Sequence, residues 1–78
     1  MSKLLKLHIL TIGRDLYYVT EDYEDAEYEK QTAEESNFQG RKLNIKLTSV
    51  DIDSSEPSNK VQLSNGMSYT VEQIMNLL

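Results

Sequence analysis

The chain reads as a small α+β protein, a single domain over residues 1–78, mostly antiparallel sheet with one acidic helix and a short C-terminal helix in the order ββαβββα. Three observations predict it. Apolar and β-branched runs at residues 4–12, 16–20 and 43–52 carry the twofold period of strands. A stretch at residues 21–35 loses that period and fills with acids around two spaced alanines. Near the C-terminus, Asn65-Gly66 is followed within a few residues by Thr70-x-x-Gln73, a turn and then a helix start.

Residues 4–12 form the first expected strand. Leu5, Leu7 and Ile9 share one face, while Leu4, Leu10 and Ile12 share the other with Lys6 and His8, so both faces are partly apolar and the strand is expected to be central. Gly13-Arg14-Asp15 is turn chemistry, and residues 16–20 (Leu-Tyr-Tyr-Val-Thr) supply the aromatic and β-branched second arm of a hairpin. The acidic stretch then predicts a helix over residues 21–38. Thr20 is the expected N-cap, Glu21 and Asp22 fall in the first turn where the macrodipole favours anions, and Gly40 closes the helix before Arg41 and Lys42. Its inner stripe, Tyr23, Ala26, Lys30, Ala33 and Asn37, is thin, with Glu21, Asp25, Glu29 and Glu35 expected on the far side.

Leu43, Ile45 and Leu47 alternate as a half-buried strand, but Val50 and Ile52 fall on the opposite parity, which predicts a bulge or bend at Thr48-Ser49. Residues 53–59, with the only proline, read as a loop. A three-residue hairpin loop, Ser64-Asn65-Gly66 with Gly66 left-handed, would pair Leu63 with Met67 and Val61 with Tyr69 and set all four apolar residues on one face. Thr70 and Gln73 then match a capping box, with Tyr69 and Ile74 in the staple positions of a helix starting at Val71. Val71, Ile74, Met75 and Leu78 form its apolar stripe with Leu77 beside it, and that stripe either seals the sheet or meets a partner.

Composition excludes several kinds of function. Twenty of 78 residues are Leu, Ile, Val or Phe, above the roughly 20% below which chains tend to stay disordered. The absence of Cys removes disulfides and Cys-based zinc sites, and the single His8 leaves at most one imidazole ligand, so no metal or cofactor is expected and a reducing cytoplasmic compartment fits best. No apolar run approaches the roughly 20 residues of a membrane span, so no membrane association is expected. The three glycines, Gly13, Gly40 and Gly66, are scattered over turns instead of clustered for phosphate binding. The run Asp51-Ile52-Asp53-Ser54-Ser55-Glu56 imitates the opening of a calcium loop, but Glu56 stands where that loop needs Gly and Gln62 where it needs a bidentate Glu. Without a second His or any Cys, and with carboxylates that share one solvated environment, no catalytic group is assigned and the chain is expected not to be an enzyme.

The distribution of charge carries the functional argument. The chain is −5 overall, yet residues 21–35 hold Glu21, Asp22, Glu24, Asp25, Glu27, Glu29, Glu34 and Glu35 against Lys30 alone, a net −7, so the remaining 63 residues sum to +2. Such a block is a local field on a near-neutral scaffold. On a helix, eight carboxylates over fifteen residues give one charge per roughly 3 Å of axis, close to the roughly 3.4 Å between phosphates along one DNA strand. Carboxylates accept the Arg and Lys donors that phosphates accept, and Tyr28 projects among them as an aromatic anchor. A pI near 4.7 argues against direct binding of nucleic acid in spite of the small basic group Arg41, Lys42 and Lys46.

In size, acidity and the run Glu21-Asp22-Tyr23-Glu24-Asp25-Ala26-Glu27-Tyr28-Glu29, the chain resembles the short acidic phage-encoded proteins that mimic DNA and disable a host DNA-binding protein, such as inhibitors of the histone-like nucleoid protein HU. The resemblance implies host takeover, competition for the DNA site of a basic HU-like partner in the host cytoplasm or nucleoid, and a homodimer where the target is two-fold symmetric. The expected partner-binding residues are Glu21, Asp22, Glu24, Asp25, Glu27, Tyr28, Glu29, Glu34 and Glu35. A second reading makes the chain a self-associating assembly module, with Ile74, Met75, Leu77 and Leu78 as its contact surface and the acidic helix a solvated face.

Overall fold

The computed structural model describes residues 4–35 and 45–78. The elements follow the expected order: β1 (Leu4–Ile12), β2 (Asp15–Thr20), α1 (Tyr23–Glu35), β3 (Ile45–Asp53), β4 (Lys60–Gln62), β5 (Ser68–Thr70) and α2 (Val71–Met75). They make an α+β fold with two separate sheets, one of three strands in the order β2-β1-β3 and one formed by the β4-β5 hairpin. Every pairing is antiparallel. The expected ends of the first helix at residues 36–40, and the start of the third strand at Leu43, lie outside the described residues.

β1 is the central strand, and its two apolar faces explain the layering. Leu7 and Ile9 join Val19, Ile52, Leu63, Tyr69, Val71 and Ile74 in one buried cluster, so this face is covered by the β4-β5 hairpin and α2. His8 and Leu10, of the opposite parity, are buried as well. There His8 meets the ring of Tyr23 on α1 edge-on, with centroids 5.1 Å apart, and its Nδ1 lies 2.7 Å from Ser49 Oγ on β3. The sheet is therefore the middle layer, with α1 on one side and the hairpin and α2 on the other.

This arrangement corrects the expected bulge in β3. β3 pairs with β1 from Leu4↔Asp53 to Ile12↔Ile45 without a register shift. The change of parity between Leu47 and Val50 needs no bend, because a strand covered on both faces uses both sets of side chains: Leu47 lies opposite Leu10 on the helix face, while Val50 lies opposite Leu7 on the other. The irregularity sits in β2 instead. Leu10 pairs with Tyr18 and Thr11 with Leu16, which leaves Tyr17 as the extra residue of a bulge.

The C-terminal unit follows its local signals closely. Val61 pairs with Tyr69, the Leu63 amide donates to Met67 O at 2.9 Å, and Gly66 takes φ +82° at the end of the three-residue loop. Leu63 and Tyr69 are buried and Val61 packs against them, while Met67 stays exposed at the tip. The hairpin is tied to the β1-β2 turn from above: Asn65 Nδ2 donates to Gly13 O at 2.9 Å, and Tyr69 Oη donates to Arg14 O at 2.5 Å. Thr70 caps α2 reciprocally, with the Gln73 amide donating to Thr70 Oγ1 at 3.1 Å and the Thr70 amide donating to Gln73 Oε1 at 2.9 Å. Residues 53–59 form two consecutive turns, in which the Glu56 amide donates to Asp53 O and the Asn59 amide to Glu56 O.

Candidate acidic interface

α1 begins two residues later than its composition predicts. The Asp22 carboxylate accepts from the Glu24 amide at 3.0 Å and the Asp22 carbonyl from the Ala26 amide at 3.1 Å, so Asp22 is the N-cap. Thr20 cannot take that role because it still pairs with His8 in the sheet; its hydroxyl accepts instead from the Asp22 amide at 3.1 Å and shapes the entry to the helix.

The inner face of α1 buries only Ala26 and Ala33. Two side-chain contacts from tyrosines supplement this thin apolar seam. Tyr18 Oη on β2 donates to Asp25 Oδ2 at 2.6 Å. The bond to Asp25, partial desolvation and the negative charges of Asp25 and Glu29 push the Tyr18 phenol up to about 12. Tyr23, in contact with His8, lies near the Glu27 carboxylate one turn along the helix, and interaction with that carboxylate raises its pKa as well. Asp25 and Glu29 are thus half-buried on the β2 flank of the helix, a correction to their expected place on its far side.

The expected site residues divide accordingly. Glu21 and Asp22 precede the helix and are exposed; Glu24, Glu27, Glu34 and Glu35 are exposed along it, and Tyr28 stands among them with 66% of its surface open. The single cation of the segment, Lys30, pairs with Glu34 at 3.0 Å. Gln31 Nε2 donates to Glu35 Oε1 at 3.3 Å. Glu27, Lys30, Gln31 and Glu34 border a shallow polar hollow of about 270 Å³ on one flank. Among the described residues, no group of three or more His, Cys, Asp or Glu side chains is placed to hold a metal ion.

Sequence reasoning missed the bond by which Tyr18 fixes one of the acids, and the bulge at Tyr17 just before it. Neither has a local signal, since both depend on where β2 lies against α1.

The second expected surface is divided between the core and the exterior. Ile74 is fully buried and Met75 packs against the core cluster, so the α2 stripe seals the sheet; Leu77 and Leu78 alone of the four are exposed. No described helix is long and apolar enough to cross a membrane. No family model, curated protein or solved structure matches this chain at a significant level.

Proposed function

We infer that the chain is a non-enzymatic acidic binding protein that works as a DNA mimic of the phage inhibitor type, occupying the DNA-binding surface of a basic nucleoid-associated, HU-like protein and blocking its DNA. One observation carries this reading: a helix of thirteen residues, about 20 Å long, is fastened through its inner face while Glu24, Glu35 and Tyr28 stay open on its outer side and Glu27 and Glu34 are exposed along one flank. Four open carboxylates along about 20 Å of axis, one per roughly 5 Å and so more widely spaced than DNA phosphates, still meet a set of Arg and Lys side chains without the cost of ordering a flexible acidic tail. A partner that grips DNA through phosphates and shape, with little reading of base edges, suits such a surface.

The test is displacement of DNA from purified HU by the intact protein at two salt concentrations. Displacement that weakens as salt rises, and that is lost when Glu24 and Glu35 are both replaced by Lys, is the expected result. Displacement unchanged by the two reversals, or none at all, ends the reading. Self-association abolished by Leu77→Asp, with no displacement, would favour the assembly module.

A further inference from the structure

The Asn65-Gly66 tip holds a reactive pair of groups that the acidic interface does not involve. An asparagine followed by glycine is prone to deamidation, because no side chain on the next residue shields its backbone nitrogen. No other part of the fold crowds Gly66: a Cβ built on it would meet nothing within 4 Å beyond its chain neighbours. The hydrogen bonds are what restrain the reaction. The nucleophile, the Gly66 amide, donates to Leu63 O at 3.0 Å. The leaving group, Asn65 Nδ2, donates to Gly13 O at 2.9 Å and to Tyr69 Oη at 3.1 Å. The carbonyl end, Asn65 Oδ1, accepts from the Met67 amide at 3.0 Å. Turning Asn65 Cγ toward Gly66 N requires these bonds to break together.

We propose that Asn65 is a latent deamidation site, held unreactive by the closed hairpin and released when the hairpin lifts from the β1-β2 turn. On opening, the Gly66 nitrogen gives up its proton to solvent base and attacks Asn65 Cγ. The new C–N bond closes a five-membered succinimide, and the Cγ–Nδ2 bond breaks as Nδ2 takes a proton back from the solvent acid and leaves as ammonia. Water then adds to either ring carbonyl, leaving aspartate or isoaspartate at position 65. The product replaces a neutral donor with a carboxylate facing the Gly13 carbonyl oxygen, so the hairpin tip loses its anchor on the β1-β2 turn. One excursion of the hairpin becomes a permanent change in the protein.

The experiment follows amide-to-acid conversion at Asn65 by peptide mapping and mass spectrometry, with the full chain incubated in mildly alkaline buffer with and without denaturing urea. Conversion at Asn65 is expected to run at least about tenfold faster in urea, the ratio reporting how seldom the closed hairpin opens. Tyr69→Phe, which removes one acceptor of the Asn65 amide and the tether to Arg14, is expected to raise the rate severalfold in buffer alone. Equal rates with and without urea would overturn the proposal, as would conversion that maps to another asparagine. Asn65→Gln, whose longer side chain would have to close a larger ring, should suppress the signal.

Discussion

Tyr18 Oη and Asp25 Oδ2 lie 2.6 Å apart, joining the edge strand β2 to the first turns of the acidic helix. The bond has two effects. It removes one carboxylate from the outer array, since Asp25 turns toward the sheet, and it orients the helix whose apolar seam consists of two alanines. A helix with so little buried surface gains little from packing alone, so this cross-element contact bears on how rigidly the outer carboxylates are held.

Tyr18 therefore links stability to alkaline pH. Its phenol is pushed up to about 12 from an ordinary value of 10.0, so the folded state favours the protonated form. The stabilisation is fully present below pH 10 and is lost as pH rises toward 12. A tyrosinate absorbance titration of the folded protein is expected to show one phenol ionising near that upper limit, and Tyr18→Phe should delete this step while lowering the thermal midpoint at neutral pH. Loss of the step without any change in midpoint would mean that the bond does not hold the helix.

The two faces of α1 should respond oppositely to substitution. Ala26 is fully buried, so Ala26→Leu forces extra methylenes between the helix and the sheet and is expected to cost about 1–3 kcal/mol in urea unfolding. Glu24→Lys, on the open face, is expected to leave the urea midpoint near that of the parent while changing the charge offered to a partner. A large loss of stability from Glu24→Lys would show that the outer carboxylates serve the fold and are not free for binding.

Much of this fold is legible because its signals are local. The capping box Thr70-Gln73 and the three-residue loop ending at Gly66 depend on residues within one turn of each other, and both form as their chemistry dictates. The strand β1 is recognisable as central because both of its faces are apolar. β3 misleads for the same reason: Leu47 and Val50 look out of phase only on the premise that one face is solvated. The N-cap moved from Thr20 to Asp22 because Thr20 remains paired with His8, a long-range fact that no local preference encodes. At the candidate site the acids were evident from composition, but their division into a bonded flank at Asp25 and Glu29 and an open side with Glu24, Glu35 and Tyr28 depends on where β2 lies beneath the helix.

Thr11 offers a separate test of the core. It is fully buried near the end of β1, and its Oγ1 has no hydrogen-bond partner among the described residues. A buried hydroxyl without a partner has lost its water and gained nothing in return, at a cost of about 1–3 kcal/mol. Thr11→Val keeps the shape and the β-branched backbone preference while removing the polar atom. The variant is expected to be more stable by about 1 kcal/mol, read as a higher urea midpoint at unchanged slope. A lower midpoint would mean that the hydroxyl is satisfied in solution and that its oxygen contributes to the fold.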